Sequence, residues 1–81
     1  MQRKLLARLR KLCDPLALCY HIGEALDYGR KPCAHDFRHT REFFRDYAPT
    51  ADVEAIIALL VEMGVHCDCE IGFNICPETG A

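Results

Sequence analysis

The 81-residue chain carries six cysteines and four histidines, and their spacing narrows the chemistry open to them. The stretch HCDCEIGFNIC, residues 66–76, sets Cys67 and Cys69 two positions apart with Asp68 and Glu70 beside them. A second stretch, PCAHDFRHT, gathers Cys33, His35 and His39. Thiolate sulfur and imidazole nitrogen are the donors that a tetrahedral zinc ion takes, at about 2.0–2.3 Å. Cys33, Cys67 and Cys69 therefore form a candidate metal set, with His35 or His39 completing the shell and zinc as the expected ion. Cys-x-Cys is a less common zinc signature than Cys-x-x-Cys, so the assignment leans on the second cluster. Taken singly, each residue has a plainer explanation. Cysteine is among the most buried residue types, and a histidine at a helix start is more often a surface or capping residue. Cys13, Cys19 and Cys76 show no ligand spacing, and Cys19 with His21 is a weak second cluster. His21 and His66 read as structural or surface residues.

To share one ion, the two stretches must be brought together by the elements around them. Residues 2–13 place Leu5, Leu6, Leu9, Leu12 and Cys13 on one helical stripe, with Arg3, Lys4, Arg8, Arg10 and Lys11 on the other side. Asp14 and Pro15 make a helix start, and the second helix stops at Gly29, with Leu18, Ile22, Ala25 and Leu26 facing inward. Asp36 is the expected cap of a third helix, which carries Phe37, Thr40, Phe44 and Tyr47 along one side and ends before Pro49. Thr50 is the expected cap of a fourth, with Asp52 and Glu54 in its first turn, a core stripe of Val53, Ile56, Ile57, Leu60 and Val61, and Gly64 as its stop.

The period then changes. Cys67, Cys69, Ile71, Phe73 and Ile75 alternate with Asp68, Glu70, Gly72 and Asn74, which predicts a β-strand. The expected fold is α+β and mostly helical: about four short helices and one C-terminal strand in a single domain over residues 1–81, with a mobile tail at 77–81. A lone strand needs a partner for its backbone groups. Residues 29–34 could supply a short edge, or a symmetry-related copy could pair with it in a homodimer. On such a strand Asp68 and Glu70 point away from the two cysteines.

Charge is unevenly distributed. All ten Lys and Arg residues fall within residues 1–45, against five acids, whereas 46–81 hold seven acids and no base. Such a dipolar chain can steer partners unless the fold interleaves its halves and cancels the field. Arg3, Lys4, Arg8, Arg10 and Lys11 are candidate nucleic-acid contacts, although no stacking platform or known motif accompanies them. The plainer reading of the first helix is a solvated face over a docked apolar stripe. Arg8, Arg10 and Lys11 interrupt the apolar run that a signal peptide needs, and nothing approaches a membrane span of about 20 apolar residues. A cytoplasmic location follows as an expectation, and reduced thiols there favour metal or redox chemistry over disulfides.

The pattern also resembles a family of small bacterial proteins described only as a domain of unknown function. Its members show Cys-x-His-Thr-Leu-Arg-x-Thr, a helical hairpin, and then Gly-Gly-x-Cys-Asp-Cys-Glu-Val with an Asn-Val ending. Cys33, His35, Phe37, Arg38, Thr40, Cys67, Asp68, Cys69, Glu70 and Asn74 fall on that pattern, in order, across residues 16–76. Asp36 stands where the family has Thr or Ser, Val65 and His66 replace part of the glycine-rich lead-in, and the basic first helix lies outside. The resemblance implies a cytoplasmic bacterial protein and brings no activity with it.

Three functions follow in order of preference. The first is a zinc-stabilised, non-catalytic interaction module with a protein partner or a second copy. The second is nucleic-acid binding through the basic helix. The last is a thiol redox protein or metal-dependent enzyme, disfavoured because Asp68 and Glu70 turn away from the thiols and the redox motif is Cys-x-x-Cys. No catalytic residue is assigned.

Overall fold

A computed structural model describes residues 3–79. Six helices follow one another: α1 (Arg3–Leu12), α2 (Pro15–Ala25), α3 (Arg38–Tyr47), α4 (Val53–Glu62), α5 (Asp68–Asn74) and α6 (Cys76–Thr79), with a 3₁₀ turn at Asp27–Gly29. The expected C-terminal strand is absent: no strand occurs among the described residues, and the fold is all-helical. The reason lies in the spacing of 67–75. Every second member of the alternating set, Cys67, Ile71 and Ile75, also sits four residues from the next, so it satisfies a helical stripe as well as a strand face. These three are the buried ones, while Phe73 is 76% exposed. A helix satisfies its own backbone groups, as Ile75 N–H does on Ile71 C=O at 2.9 Å. The argument for strand pairing with residues 29–34 or with a second copy falls with the strand. Of the expected mobile tail, Pro77–Thr79 belong to α6, and residues 80–81 lie outside the described part, as does Gln2 of the first helix.

The local start signals vary in outcome. Asp14 caps α2 by accepting from Leu16 and Ala17 N–H, both at 3.2 Å. Asp52, not Thr50, caps α4 through Ala55 N–H at 3.1 Å. Gly64 ends that helix at φ 87°, a conformation that disfavours any residue with a Cβ. Asp36 accepts from Arg38 N–H at 3.1 Å but does not cap α3.

One core joins α1 to α5: Leu9, Leu18, Phe44, Ile56, Leu60, Val65, Ile71 and Ile75 are fully buried, and Cys76 of α6 packs against them partly buried. α2 packs on α3, α5 and α6, α1 lies on α4, and α3 touches α5. Leu5, Leu6 and Leu9 form the docked stripe of α1. Phe43 and Leu59 are buried where Tyr47 and Val61 were expected, the latter pair being exposed. The basic and acidic halves do interleave, through Arg8–Glu62 at 3.7 Å and the Arg41–Glu54 pair between α3 and α4. Cys19 and Cys76 form a disulfide that ties α2 to the start of α6. This pairing departs from the expectation of reduced, unconnected thiols; nothing in their spacing announces it, because two helices must dock before the sulfurs meet.

Candidate metal centre

Cys33 and His35 lie in the loop before α3, and Cys67 and Cys69 at the start of α5. The four donor atoms lie within 4.8 Å of one another, and the Cys67 and Cys69 sulfurs are 3.2 Å apart. Four ligands around one zinc ion sit about 3.3–3.8 Å from each other, so the set needs a contraction of about 1 Å at its widest.

The loop reaches this geometry through His35. Its φ of 60° lies in the left-handed region, where histidine is less penalised than most side chains. The turn lets His35 N–H donate to Cys33 Sγ at 3.3 Å. The second segment is attached by backbone: Asp68 N–H donates to Asp36 C=O at 2.8 Å.

Asp68 fixes the relation of the two segments. It is 1% exposed, and its carboxylate accepts from His39 N–H at 2.9 Å, Thr40 N–H at 3.1 Å and the Thr40 hydroxyl at 2.6 Å. The first turn of α3 is thus capped by a residue 28 positions away, and the acid doing so stands between the two cysteines. A strand that points Asp68 away from the two cysteines gives no sign of this role. Glu70 also departs from expectation. Its carboxylate lies 3.9 Å from Cys67 Sγ instead of facing away.

His39 is not part of the four-donor group. Its backbone serves the Asp68 cap, and its Nδ1 is buried with no hydrogen-bond partner among the described residues. The five basic residues of α1 are exposed and contribute nothing to this centre. His66 is exposed, and His21 packs against Phe43.

Electrostatics in the cluster show what three close thiols require. For Cys33, burial opposes ionisation, yet hydrogen bonds from the Cys69 and His35 N–H groups and the neighbouring thiols outweigh it, so its pKa is lowered. Cys69 is pushed up to about 12, first by its hydrogen bond with Cys67, then by burial and by Cys33. The surroundings thus favour the thiolate at Cys33 and the protonated thiol at Cys69. A divalent cation removes that conflict, because its charge stabilises several thiolates at once.

A family model described as protein of unknown function (DUF2695) matches residues 18–74, well over half of the chain. The chain belongs to this family. The family segment contains all four donors together with Thr40, Asp68 and Glu70, whereas α1 and Cys76 lie outside it. The chain is 35% identical over 62 residues to the uncharacterized proteins Mb2294 of Mycobacterium bovis and Rv2271 of Mycobacterium tuberculosis. The match takes in 70% of this chain and 61% of theirs, so it spans less than two thirds of these relatives. No solved structure matches. No helix is long and apolar enough to cross a membrane among the described residues.

Proposed function

We propose that this DUF2695 chain is a small zinc-stabilised, non-catalytic interaction module. The observation that carries the reading is the convergence of three sulfurs and one imidazole, from segments more than 30 residues apart, to within 4.8 Å. Cys33, His35, Cys67 and Cys69 would supply a Cys₃His shell. Four protein ligands fill a tetrahedral site, the arrangement of structural zinc, whereas catalytic zinc keeps a position for water. Bound there, the ion would pin the loop before α3 to the start of α5. A domain this small gains much from such a link, since a single core of this size leaves a thin margin of stability.

The test is elemental analysis of protein purified without chelator, repeated on Cys33→Ser and Cys67→Ser. About one zinc per chain is expected, lost in both variants. Cobalt substitution should give the thiolate charge-transfer and tetrahedral d–d bands. A metal-free wild-type protein whose melting temperature does not move between added zinc and chelator overturns the reading.

A cytoplasmic location belongs to this proposal, because thiolate ligands persist where thiols stay reduced. The Cys19–Cys76 bond pulls the other way. Counting free thiols in acid-quenched cells separates the two: four with the bond intact, six without it. A second reading rests on α1, whose five basic residues are all exposed. Nucleic-acid binding through them would weaken steeply with salt, and a gel shift that stays negative at low salt ends it.

A further inference from the structure

A concavity of about 450 Å³ opens between α2 and α3 and shares no residue with the metal centre. Its walls are aromatic. Phe43 and Tyr47 stand one helical turn apart on α3 with ring centroids 5.5 Å apart, and His21 of α2 meets them at 5.4 and 6.1 Å. Tyr47 is 71% and Tyr20 58% exposed, so both rings present area to solvent at the rim. The charges around these rings have one sign. Asp14 and Glu24 line the cleft, and no Lys or Arg does so among the described residues. Glu42 lies behind His21, 3.3 Å from its Nε2. Arg45, near the rim in sequence, is held by Asp46 at 2.9 Å. Glu24 has no ion-pair partner among the described residues.

Aromatic faces carry negative quadrupole potential, and carboxylates add to it; together they attract a cation. A small hydrated metal ion would want an oxygen cage, which rings do not provide. An anion meets two carboxylates. An alkylated ammonium fits both features, since its methyl groups pack on the rings and its charge is only weakly hydrated. We propose that this cleft is a binding site for a small alkylammonium compound, held on Tyr47, Phe43 and Tyr20 with Glu24 as its counter-charge. The volume suits one small molecule, and the site does not depend on the metal reading.

The test titrates the protein as purified with choline and with its neutral tert-butyl isostere, following backbone amide shifts. Saturable shifts confined to Tyr20–Glu24 and Phe43–Tyr47 are expected, with choline preferred over the isostere by about five-fold. Glu24→Gln and Tyr47→Leu, both at exposed positions, should each weaken choline several-fold while circular dichroism and melting temperature stay unchanged. Equal affinity for the two compounds overturns the proposal, as does the lack of saturation at tens of millimolar choline. So does unchanged binding in both variants. A trimethyllysine peptide that binds more than about tenfold tighter than choline overturns the assignment to a free small molecule.

Discussion

Replacing Asp68 by Asn changes one atom in the centre of the molecule and tests whether the cap and the donor cluster are coupled. The carboxylate accepts three hydrogen bonds, two of them from N–H groups in the first turn of α3, and is almost wholly buried. An asparagine in either orientation turns an NH₂ group toward a backbone N–H, so one helix-terminal donor loses its acceptor and the charge that strengthened the others is gone. Hydrogen bonds to a charged group contribute about 1.5–3 kcal/mol each, and an unsatisfied buried donor costs a similar amount, which puts Asp68→Asn at about 2–3 kcal/mol. Asp68→Ala removes every acceptor and should cost about 3–5 kcal/mol. For a domain of this size, 2–3 kcal/mol lowers the melting temperature by about 12–18 °C. The assay is urea and thermal unfolding, with and without added zinc, followed by far-UV circular dichroism. Thr40→Val, which removes only the hydroxyl donor, is the partner in a double-mutant cycle. A second readout is zinc competition with a chromophoric chelator. Asp68 holds the loop carrying Cys33 and His35 against the segment carrying Cys67 and Cys69, so affinity should fall about 10–100-fold, the range for residues that position metal ligands. An Asp68→Asn protein within 0.5 kcal/mol of wild type, or one that binds zinc as tightly, refutes the coupling.

Zinc binding should release protons at pH 7, because the Cys69 thiol, pushed up to about 12 without metal, must ionise to coordinate. Calorimetry in buffers of different ionisation enthalpy counts them, and affinity should weaken as pH falls; zero proton release refutes ligation by Cys69. In the metal-free protein, burial first and Asp14 second push Cys13 from 9.0 up to about 11. A folded pKa above the unfolded one contributes stability that is present below pH 9 and lost as pH rises to 11. Cys13→Ala should flatten that window, as read by denaturation at successive pH values. The Cys19–Cys76 disulfide spans 57 residues, so Cys76→Ser should destabilise by about 4 kcal/mol on the loop-entropy scale; unfolding of the variant that matches the oxidised wild type refutes the cross-link. Gly72→Ala probes the helix at 68–74. Space around Gly72 is open, so an added methyl should stabilise a helix by about 0.5–1 kcal/mol. Gly64→Ala, at φ 87°, should cost about 1–2 kcal/mol despite equally open space.

Much of the fold is legible residue by residue because its signals are local. Asp14 with Pro15, the apolar stripe of α1, and Gly64 as a helix stop each concern groups within about four positions of one another. The same holds for the two halves of the donor set, whose residue types and spacing make a metal site an expectation. Residues 67–75 show where local reading ends. Their apolar positions satisfy period two and an i, i+4 stripe together, and only contact with the core decides that Ile71 and Ile75 go inside and Phe73 outside.

The amino-acid order by itself determined four helices, the cysteine and histidine types available for ligation, and the imbalance of charge along the chain. Tertiary structure alone decided that the last segment is helical, that Cys19 meets Cys76, that His35 rather than His39 stands beside the three thiols, and that Asp68 caps α3. Each of these depends on groups 28 or more positions apart or on which face of a helix the core selects. Such contacts follow from how whole helices dock, and no short stretch of the chain encodes them.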